Sequence, residues 1–213
     1  MLWHDPRRCL RSAFFAAAAH EFASRGYAGA RVDRIAQRAR VNKAMLYYHF
    51  GSKRQLYRAL LRTTSLHVAA RLREVGESSD RPEQMMDRVI ATFAEIARER
   101  AFFPAVMLRE IAEGGAHLDR ETLAALGAVP MAFSAIVARG VAAGAFRPVP
   151  PIVAYFITMA PLMVYMAAAP IRRELAKSRL LPVVPPDLDA FIGHLQQTMR
   201  RALENEPSLG ITT

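Results

Sequence analysis

The segment 31–53 constrains the fold more than any other part of the sequence, because it contains two short amphipathic patterns separated by only three residues. Residues 31–39 predict a helix, since apolar side chains recur there at three- and four-residue steps: Val32, Ile35, Ala36 and Ala39. Residues 43–49 predict a second helix with Asn42 as its N-cap. Leu46 and Phe50 would hold this second helix to a core. Two short helices joined by a three-residue turn are typical of a helix-turn-helix.

The outward faces of the second helix carry polar, aromatic and small side chains: Lys43, Ala44, Met45, Tyr47, Tyr48 and His49. In a helix-turn-helix this is the element that enters the major groove of DNA. Lys43 and His49 are suited to phosphates, the tyrosines to the sugar-phosphate backbone, and Asn42 with Lys43 to base edges. Arg31 and Lys53, at the two ends of the segment, complete the predicted DNA-binding set.

The charge distribution favours DNA contact over the alternative of a core hairpin with a merely solvated basic face. Residues 1–65 contain 13 Lys and Arg against 3 Asp and Glu, whereas residues 66–213 contain 16 of each. A basic first third on a neutral remainder is typical of a module that binds a polyanion. A helical dimer whose basic head binds an acidic protein partner or an anionic membrane surface remains the alternative interpretation.

About 40 contiguous residues resemble the TetR/AcrR family of transcriptional regulators. The matching positions are Phe22, Gly26, Tyr27, Val32, Ile35, Ala36, Ala39, Val41, Lys43, Leu46, Tyr47, Tyr48, His49, Phe50, Ser52, Lys53 and Leu56. Two positions depart from the family pattern, since Arg40 replaces the usual turn glycine and Ala30 the usual threonine cap. An arginine in a left-handed turn costs about 1 kcal/mol. The resemblance implies a homodimer that binds a palindromic DNA operator, most often a repressor released by a small molecule.

The sequence predicts an all-α fold of about nine helices in two domains. Residues 1–55 are expected to form a three-helix DNA-binding bundle, and residues 56–213 a helical ligand-binding and dimerisation domain. Asp5 and Pro6 open a first helix that Gly26 ends, and Ser52 caps a helix that reaches about Val75. From residue 83 to about 177 the apolar spacing stays helical, with no strand pattern. A last helix is expected from Leu188 to about Leu203.

The stretch 148–171 has no charged residue, so its length alone would permit a membrane span. Its prolines at 148, 150, 151, 161 and 170 oppose a span, and a helix that is apolar all round is also typical of burial against another subunit. In the family the last two long helices pair with their copies, which here would involve roughly residues 151–177 and 187–204. The first residues lack a signal-peptide pattern, and the single Cys9 precludes an internal disulfide, so a cytoplasmic location is expected.

Nine residues lie on helices that line the ligand pocket in the family: Phe102, Phe103, Met107, Met131, Phe133, Tyr155, Met159, Met163 and Tyr165. Methionine adapts to irregular cavities and tyrosine offers a polar end, so these residues suit an apolar effector. Each of them taken singly is more typical of an ordinary core. The identity of the effector, the operator sequence and the regulated genes do not follow from the sequence.

The sequence predicts no enzymatic activity and no cofactor, because it has no Gly-rich phosphate loop, no paired cysteines and no nucleophile elbow. Glu110, Glu113 and His117 stand at i, i+3 and i+7 and could present a metal-binding helical face. However, Gly114 and Gly115 predict that the helix ends before His117. The sequence therefore favours a solvated helix end there and no metal site.

Overall fold

A computed structural model of the chain describes the backbone of residues 6–178 and 185–205, and the side chains of residues 13–178 and 185–205. Regular structure in these residues is helical, apart from an isolated bridge between Phe146 and Glu204. The helices are α1 Pro6–Gly29, α2 Val32–Ala39, α3 Lys43–Phe50, α4 Lys53–Gly76, α5 Pro82–Glu99, α6 Phe103–Ala112, α7 Arg120–Ala142, α8 Pro151–Ala167, α9 Ala169–Ser178 and α10 Leu188–Leu203. The all-α prediction is confirmed. The described helices number ten because the apolar stretch divides at Ala168. Cys9 lies outside the described side chains.

The helices belong to two compact units. Within the described residues, unit 1 comprises 6–66 and 100–126, and unit 2 comprises 67–99, 127–178 and 185–205. Unit 1 therefore contains α1 to α3, the first half of α4, α6 and the start of α7. The predicted functional boundary between residues 55 and 56 stays a prediction, and the packing unit that contains α2 and α3 extends beyond it.

The core of unit 1 holds the two short helices against α1 and α4. Fully buried side chains come from each of these elements: Phe14, Phe22, Ile35, Leu46, Leu56, Tyr57 and Leu61. On α2 the buried residues are Val32, Ile35 and Ala36, which confirms the predicted apolar face. Gly26 has a φ of 68° and interrupts helical geometry in α1, where a left-handed stop is predicted.

The turn between α2 and α3 places Arg40 in the left-handed conformation, with φ 57° and ψ 41°. Its backbone N–H donates to the carbonyl of Gln37 at 3.1 Å, and the next N–H, of Val41, donates to Ala36 at 3.0 Å. These bonds satisfy carbonyls that the end of α2 leaves free. The structure therefore requires the left-handed turn although the residue there is an arginine.

Unit 2 is built around a separate core from α5, α7, α8, α10 and the second half of α4. Helix α7 continues through Pro130 without a break. Gly140 permits a close contact, because a Cβ at this position would lie 2.0 Å from the ring of Phe146. Of the described helices, α7 alone is long and apolar enough to cross a membrane, and α8 with α9 qualifies only as a pair bent by 55°. The stretch 148–171 is therefore not one straight span.

We expect Arg40→Gly to raise the free energy of unfolding by about 0.5–1 kcal/mol. Glycine removes a left-handed cost of about 1–2 kcal/mol, which outweighs the entropy of about 0.4–1 kcal/mol that it adds to the unfolded chain. Urea denaturation followed by circular dichroism measures the change. The matched control is Arg38→Gly within α2, which should lower stability by about 1 kcal/mol. Equal destabilisation by both variants would contradict the strained turn.

Candidate nucleic-acid interface

Helix α3 presents most of the predicted DNA-binding residues on one exposed face. The side-chain oxygen of Asn42 accepts a hydrogen bond from the backbone N–H of Ala44 at 2.8 Å, which confirms the predicted N-cap. Leu46 is completely buried and fixes the rotation of the helix. Six predicted residues are consequently exposed: Asn42, Lys43, Ala44, Met45, Tyr47 and Tyr48. Tyr48 is 82% exposed and Tyr47 44%, so both rings are available to a partner.

Lys43 is held across the turn by an exposed carboxylate. Its Nζ lies 2.7 Å from Oδ1 of Asp33 on α2. The hydrogen bond from Lys43 lowers the pKa of the Asp33 carboxyl, and the same bond raises the pKa of the Lys43 ammonium group. An exposed pair of this kind adds little to stability, but it keeps the ammonium group beside the first turn of α3. A phosphate would have to compete with Asp33 for this cation.

Arg31 lies exposed at the start of α2, where the helix has no side-chain cap of its own. The missing cap is supplied from α1. Glu21 is buried, and its Oε1 accepts the backbone N–H of Arg31 at 3.2 Å. The same oxygen lies 3.7 Å from Arg25 and 3.8 Å from Arg34. Glu21 thus satisfies the backbone N–H of the N-cap residue from α1, a contact that sequence reasoning missed.

His49 differs from the other predicted residues of α3, because its side chain is half-buried. Its ring lies among those of Phe14, Tyr48 and Phe50, with centroids 5.2–6.4 Å away. The Nε2 atom is buried and has no hydrogen-bond partner within the described residues. The structure therefore places this imidazole partly in the core, and the predicted phosphate contact by His49 stays a prediction.

Lys53 is also turned inward, although the sequence predicts that it contacts phosphate. Its ammonium group donates to the backbone carbonyls of Tyr27 at 2.9 Å and Ala30 at 3.1 Å, and Ala28 lies at 3.5 Å. It also lies 4.6 Å above the ring of Tyr27. Ser52 accepts the N–H of Gln55 at 3.1 Å and starts α4 as predicted. Lys53 therefore fastens the end of α1 to the start of α4.

The nine predicted pocket residues are divided between the two units. Phe102, Phe103 and Met107 belong to unit 1, and the other six belong to unit 2. Phe133 and Met159 are core residues, whereas Met131 is 74% exposed. The ring of Tyr165 stacks on Phe191. A cleft of about 300 Å³ in unit 2 is lined by other residues: Glu83, Met86, Ala145, Phe146, Gln197, Arg200, Arg201, Leu203 and Glu204.

A second cluster of polar side chains lies at the end of α6, in unit 1. Helix α6 ends at Ala112, as the two glycines predict, but Gly114 and Gly115 take φ values of 67° and 77° and reverse the chain. The reversal returns His117 to both glutamates: Nδ1 lies 3.0 Å from Glu110 and 3.2 Å from Glu113. The prediction of a solvated helix end is wrong for Glu110, whose side chain is 1% exposed.

Hydrogen bonds stabilise the charge on Glu110. Burial alone would raise the pKa of this carboxyl, but the backbone N–H of His117 at 3.0 Å and the hydroxyl of Tyr57 at 2.8 Å outweigh it, so the pKa is lowered. Burial raises the pKa of the Tyr57 hydroxyl, which therefore remains a donor. The carboxylate stays ionised inside unit 1 because these donors are fixed around it.

The sequence is similar to known regulators over the segment that forms this interface. Residues 14–60 match the family described as bacterial regulatory proteins, tetR family. Over 90 residues the chain is 38% identical to the HTH-type transcriptional repressor SCO4008 of Streptomyces coelicolor, an alignment that covers 42% of this chain and 45% of the relative. Over 88 residues it is 34% identical to the HTH-type transcriptional activator FasR of Mycolicibacterium smegmatis, covering 41% and 40%. These alignments span less than half the length of either curated relative.

The fold is similar over a longer part of the chain. The crystal structure of a TetR family transcriptional regulator, PfmR from Thermus thermophilus, superposes with a TM-score of 0.67 at 25% sequence identity. The superposition covers 90% of this chain and 99% of that chain. The similarity therefore includes helices outside the segment that the two curated relatives match.

We expect Lys53→Met to lower the free energy of unfolding by about 1.5–3 kcal/mol, because it removes charge-assisted hydrogen bonds to backbone carbonyls. Thermal or urea denaturation measures the loss. The matched control is Arg54→Met, since Arg54 is the next residue and its side chain is exposed. Its stability should stay within about 0.5 kcal/mol of the parent chain. Unchanged stability in Lys53→Met, with weaker DNA binding, would instead support the phosphate contact predicted from the sequence.

Proposed function

We propose that the chain is a member of the TetR family of bacterial regulatory proteins, whose model matches residues 14–60, and that it is a DNA-binding transcriptional regulator that acts as a homodimer. The observation that carries this proposal is the exposed face of α3, where Lys43, Tyr47 and Tyr48 stand beside a buried anchor, Leu46. An eight-residue helix fixed in this way can lie in a major groove. The role needs no catalytic residue. Since the genome is its target, we propose a cytoplasmic location.

The cation content of the interface supports a phosphate-rich partner. The exposed basic side chains on α2, its flanks and the start of α3 are Arg31, Arg38, Arg40 and Lys43. Phosphate contacts set the register of a protein on DNA, and base contacts give the sequence preference. We assign the first task to these cations, and the second to Asn42, Ala44 and Met45 with the two tyrosines. The names of the relatives favour DNA over an acidic protein or a lipid surface.

We propose repression of a palindromic operator as the mode of action, with release by a small apolar ligand. The relatives include a repressor and an activator by name, so the direction of regulation rests on the resemblance to the family as a whole. The effector would bind among the aromatic and methionine side chains of unit 2, near Phe133, Tyr155 and Met159. Binding would favour one of two conformations of the dimer by its differential affinity for them.

Selection from a random pool of double-stranded DNA tests the proposed function. We expect a palindromic sequence to be enriched, with half-site centres separated by one helical turn, about 34–36 Å, or a multiple of it. Lys43→Ala should weaken binding to the selected sequence and reduce the salt slope by about 1, because one phosphate contact is lost. Titrations at several salt concentrations measure both quantities.

The matched control for Lys43→Ala is Arg88→Ala. Arg88 is an exposed cation that pairs with Asp80, as Lys43 pairs with Asp33 at 2.7 Å, but it belongs to unit 2 and lies outside the ranges predicted for the dimer. Arg88→Ala should leave DNA affinity and the salt slope unchanged. No enriched sequence would refute the proposed function. Equal effects of the two substitutions would refute only the assignment of Lys43.

We propose that the exposed apolar face of α8 forms part of the dimer interface. Five large apolar side chains of this helix are exposed: Ile152, Val153, Phe156, Ile157 and Val164. An apolar patch of this kind marks an interaction surface. The helices α8 and α10 contact each other, so together they offer a two-helix face that can pair with its own copy around a two-fold axis. The proposed face lies within the ranges 151–177 and 187–204 that the sequence predicts for the dimer.

We expect Phe156→Glu to convert the dimer to a monomer, because it places a charge on a surface that dimerisation would bury. Analytical ultracentrifugation measures the dissociation. The matched control is Leu123→Glu, since Leu123 on α7 is an exposed apolar residue of unit 1. The control should remain dimeric. If Phe156→Glu stays dimeric at micromolar concentration, the exposed face of α8 is not the interface.

A further inference from the structure

The three side chains at the end of α6 have a geometry that the proposed function does not use. One oxygen from each of Glu110 and Glu113 and one ring nitrogen of His117 lie within 4.8 Å of one another. We propose that these three residues form a binding site for a divalent transition metal of the zinc class. The inference rests on unit 1 alone and is independent of the proposed DNA binding.

The distances fit an ion of this class. Zinc binds imidazole nitrogen and carboxylate oxygen at about 2.0–2.2 Å, so two ligands in tetrahedral geometry lie about 3.3–3.5 Å apart. The Nδ1 atom of His117 lies 3.0 Å from Oε2 of Glu110 and 3.2 Å from Oε2 of Glu113. Shifts of a few tenths of an ångström would admit an ion in place of the imidazole proton. One nitrogen and two oxygens suit zinc better than magnesium or calcium, which prefer shells of oxygen.

The negative net charge of the cluster also favours binding of a cation. Two carboxylates face one imidazole, so the cluster has a negative balance even when the imidazole is protonated. Within the described residues, neither Glu110 nor Glu113 forms an ion pair with any lysine or arginine. The nearby Arg58 pairs with Asp119 at 3.2 Å, and its Nε donates to the backbone carbonyl of His117 at 2.7 Å. A divalent ion would balance the negative charge that remains on the cluster.

The surroundings hold the ligands in place, as the outer shell of a metal site does. Glu110 accepts the hydroxyl of Tyr57 at 2.8 Å and the backbone N–H of His117 at 3.0 Å. The ring of Tyr27 lies against that of His117, with centroids 3.9 Å apart. The buried glutamate and the imidazole therefore have their orientation set before an ion arrives. Such preorganisation lowers the cost of binding.

One side of the cluster is open. Glu113 is 39% exposed, whereas His117 is 16% exposed, so an ion can enter from solvent past Glu113. Three protein ligands leave a fourth tetrahedral position, which water can fill on this side. The site would join the end of α6 to Tyr27 and, through Glu110, to Tyr57 of α4. Metal binding should therefore stabilise unit 1.

Calorimetric titration of the untagged full chain with zinc sulfate alone tests the site. We expect one Zn²⁺ per chain and a rise in the thermal unfolding temperature. Glu113→Gln and His117→Gln should each weaken binding at least 100-fold. Tyr57→Phe, which removes an outer-shell bond, should weaken it about 10- to 100-fold. Calcium and magnesium should give no comparable heat.

The matched control is His67→Gln, since His67 is a partly exposed histidine that lies 3.9 Å from Glu99 in unit 2. This variant should bind zinc as the parent chain does. The Glu113→Gln variant should remain folded, because Glu113 is half-exposed and makes no other ion pair within the described residues. Loss of binding in a folded Glu113→Gln chain supports the site. Absence of binding by the parent chain, or full binding by both the Glu113→Gln and His117→Gln chains, overturns it.

Discussion

The burial of Leu46 is the contact on which the proposed interface depends. Helices of eight residues are unstable alone, so α2 and α3 exist only because tertiary packing holds them. Leu46 is the one fully buried side chain of α3, and Phe50 adds an edge contact to the ring of Phe14 at 5.7 Å. Because one buried residue fixes the rotation of the helix, it also decides that Tyr47 and Tyr48 point to solvent. The exposed face of α3 that we propose binds DNA is thus a consequence of core packing.

Local sequence signals were sufficient for the helices around the turn, although not for the division of the apolar stretch at Ala168. The N-caps at Asn42 and Ser52 and the turn at Arg40 all depend on bonds between residues two to five positions apart. Such bonds are set by backbone geometry that the neighbouring residues determine. The apolar face of α2 follows in the same way from helical spacing. For these features the identity of the distant packing partner does not matter, so a single sequence predicts them.

Tertiary contacts determine the features that were not predicted from the sequence. Glu21 caps α2 from ten residues away, and Lys53 reaches carbonyls 23 to 26 residues earlier. Both are charged residues that helical patterns assign to solvent or to phosphate, because the pattern contains no information on which backbone groups approach them. His117 shows the same limit over a shorter distance. The sequence analysis considered His117 on a helical face. In the structure, Gly114 and Gly115 have positive φ and turn the chain so that His117 returns to Glu110.

The proposed effector site and the proposed DNA-binding helix belong to different units. The apolar side chains proposed to hold a ligand lie in unit 2, whereas α3 lies in unit 1. The helices α4 and α7 each contribute residues to both units. A metal bound at Glu110 and His117 would instead lie in unit 1 together with α3. It would act beside Tyr27, whose carbonyl is already held by Lys53 at the start of α4. Two contacts, the ring contact of Tyr27 with His117 and the hydrogen bond from Lys53 to Tyr27, then join that site to the helix that directly follows α3.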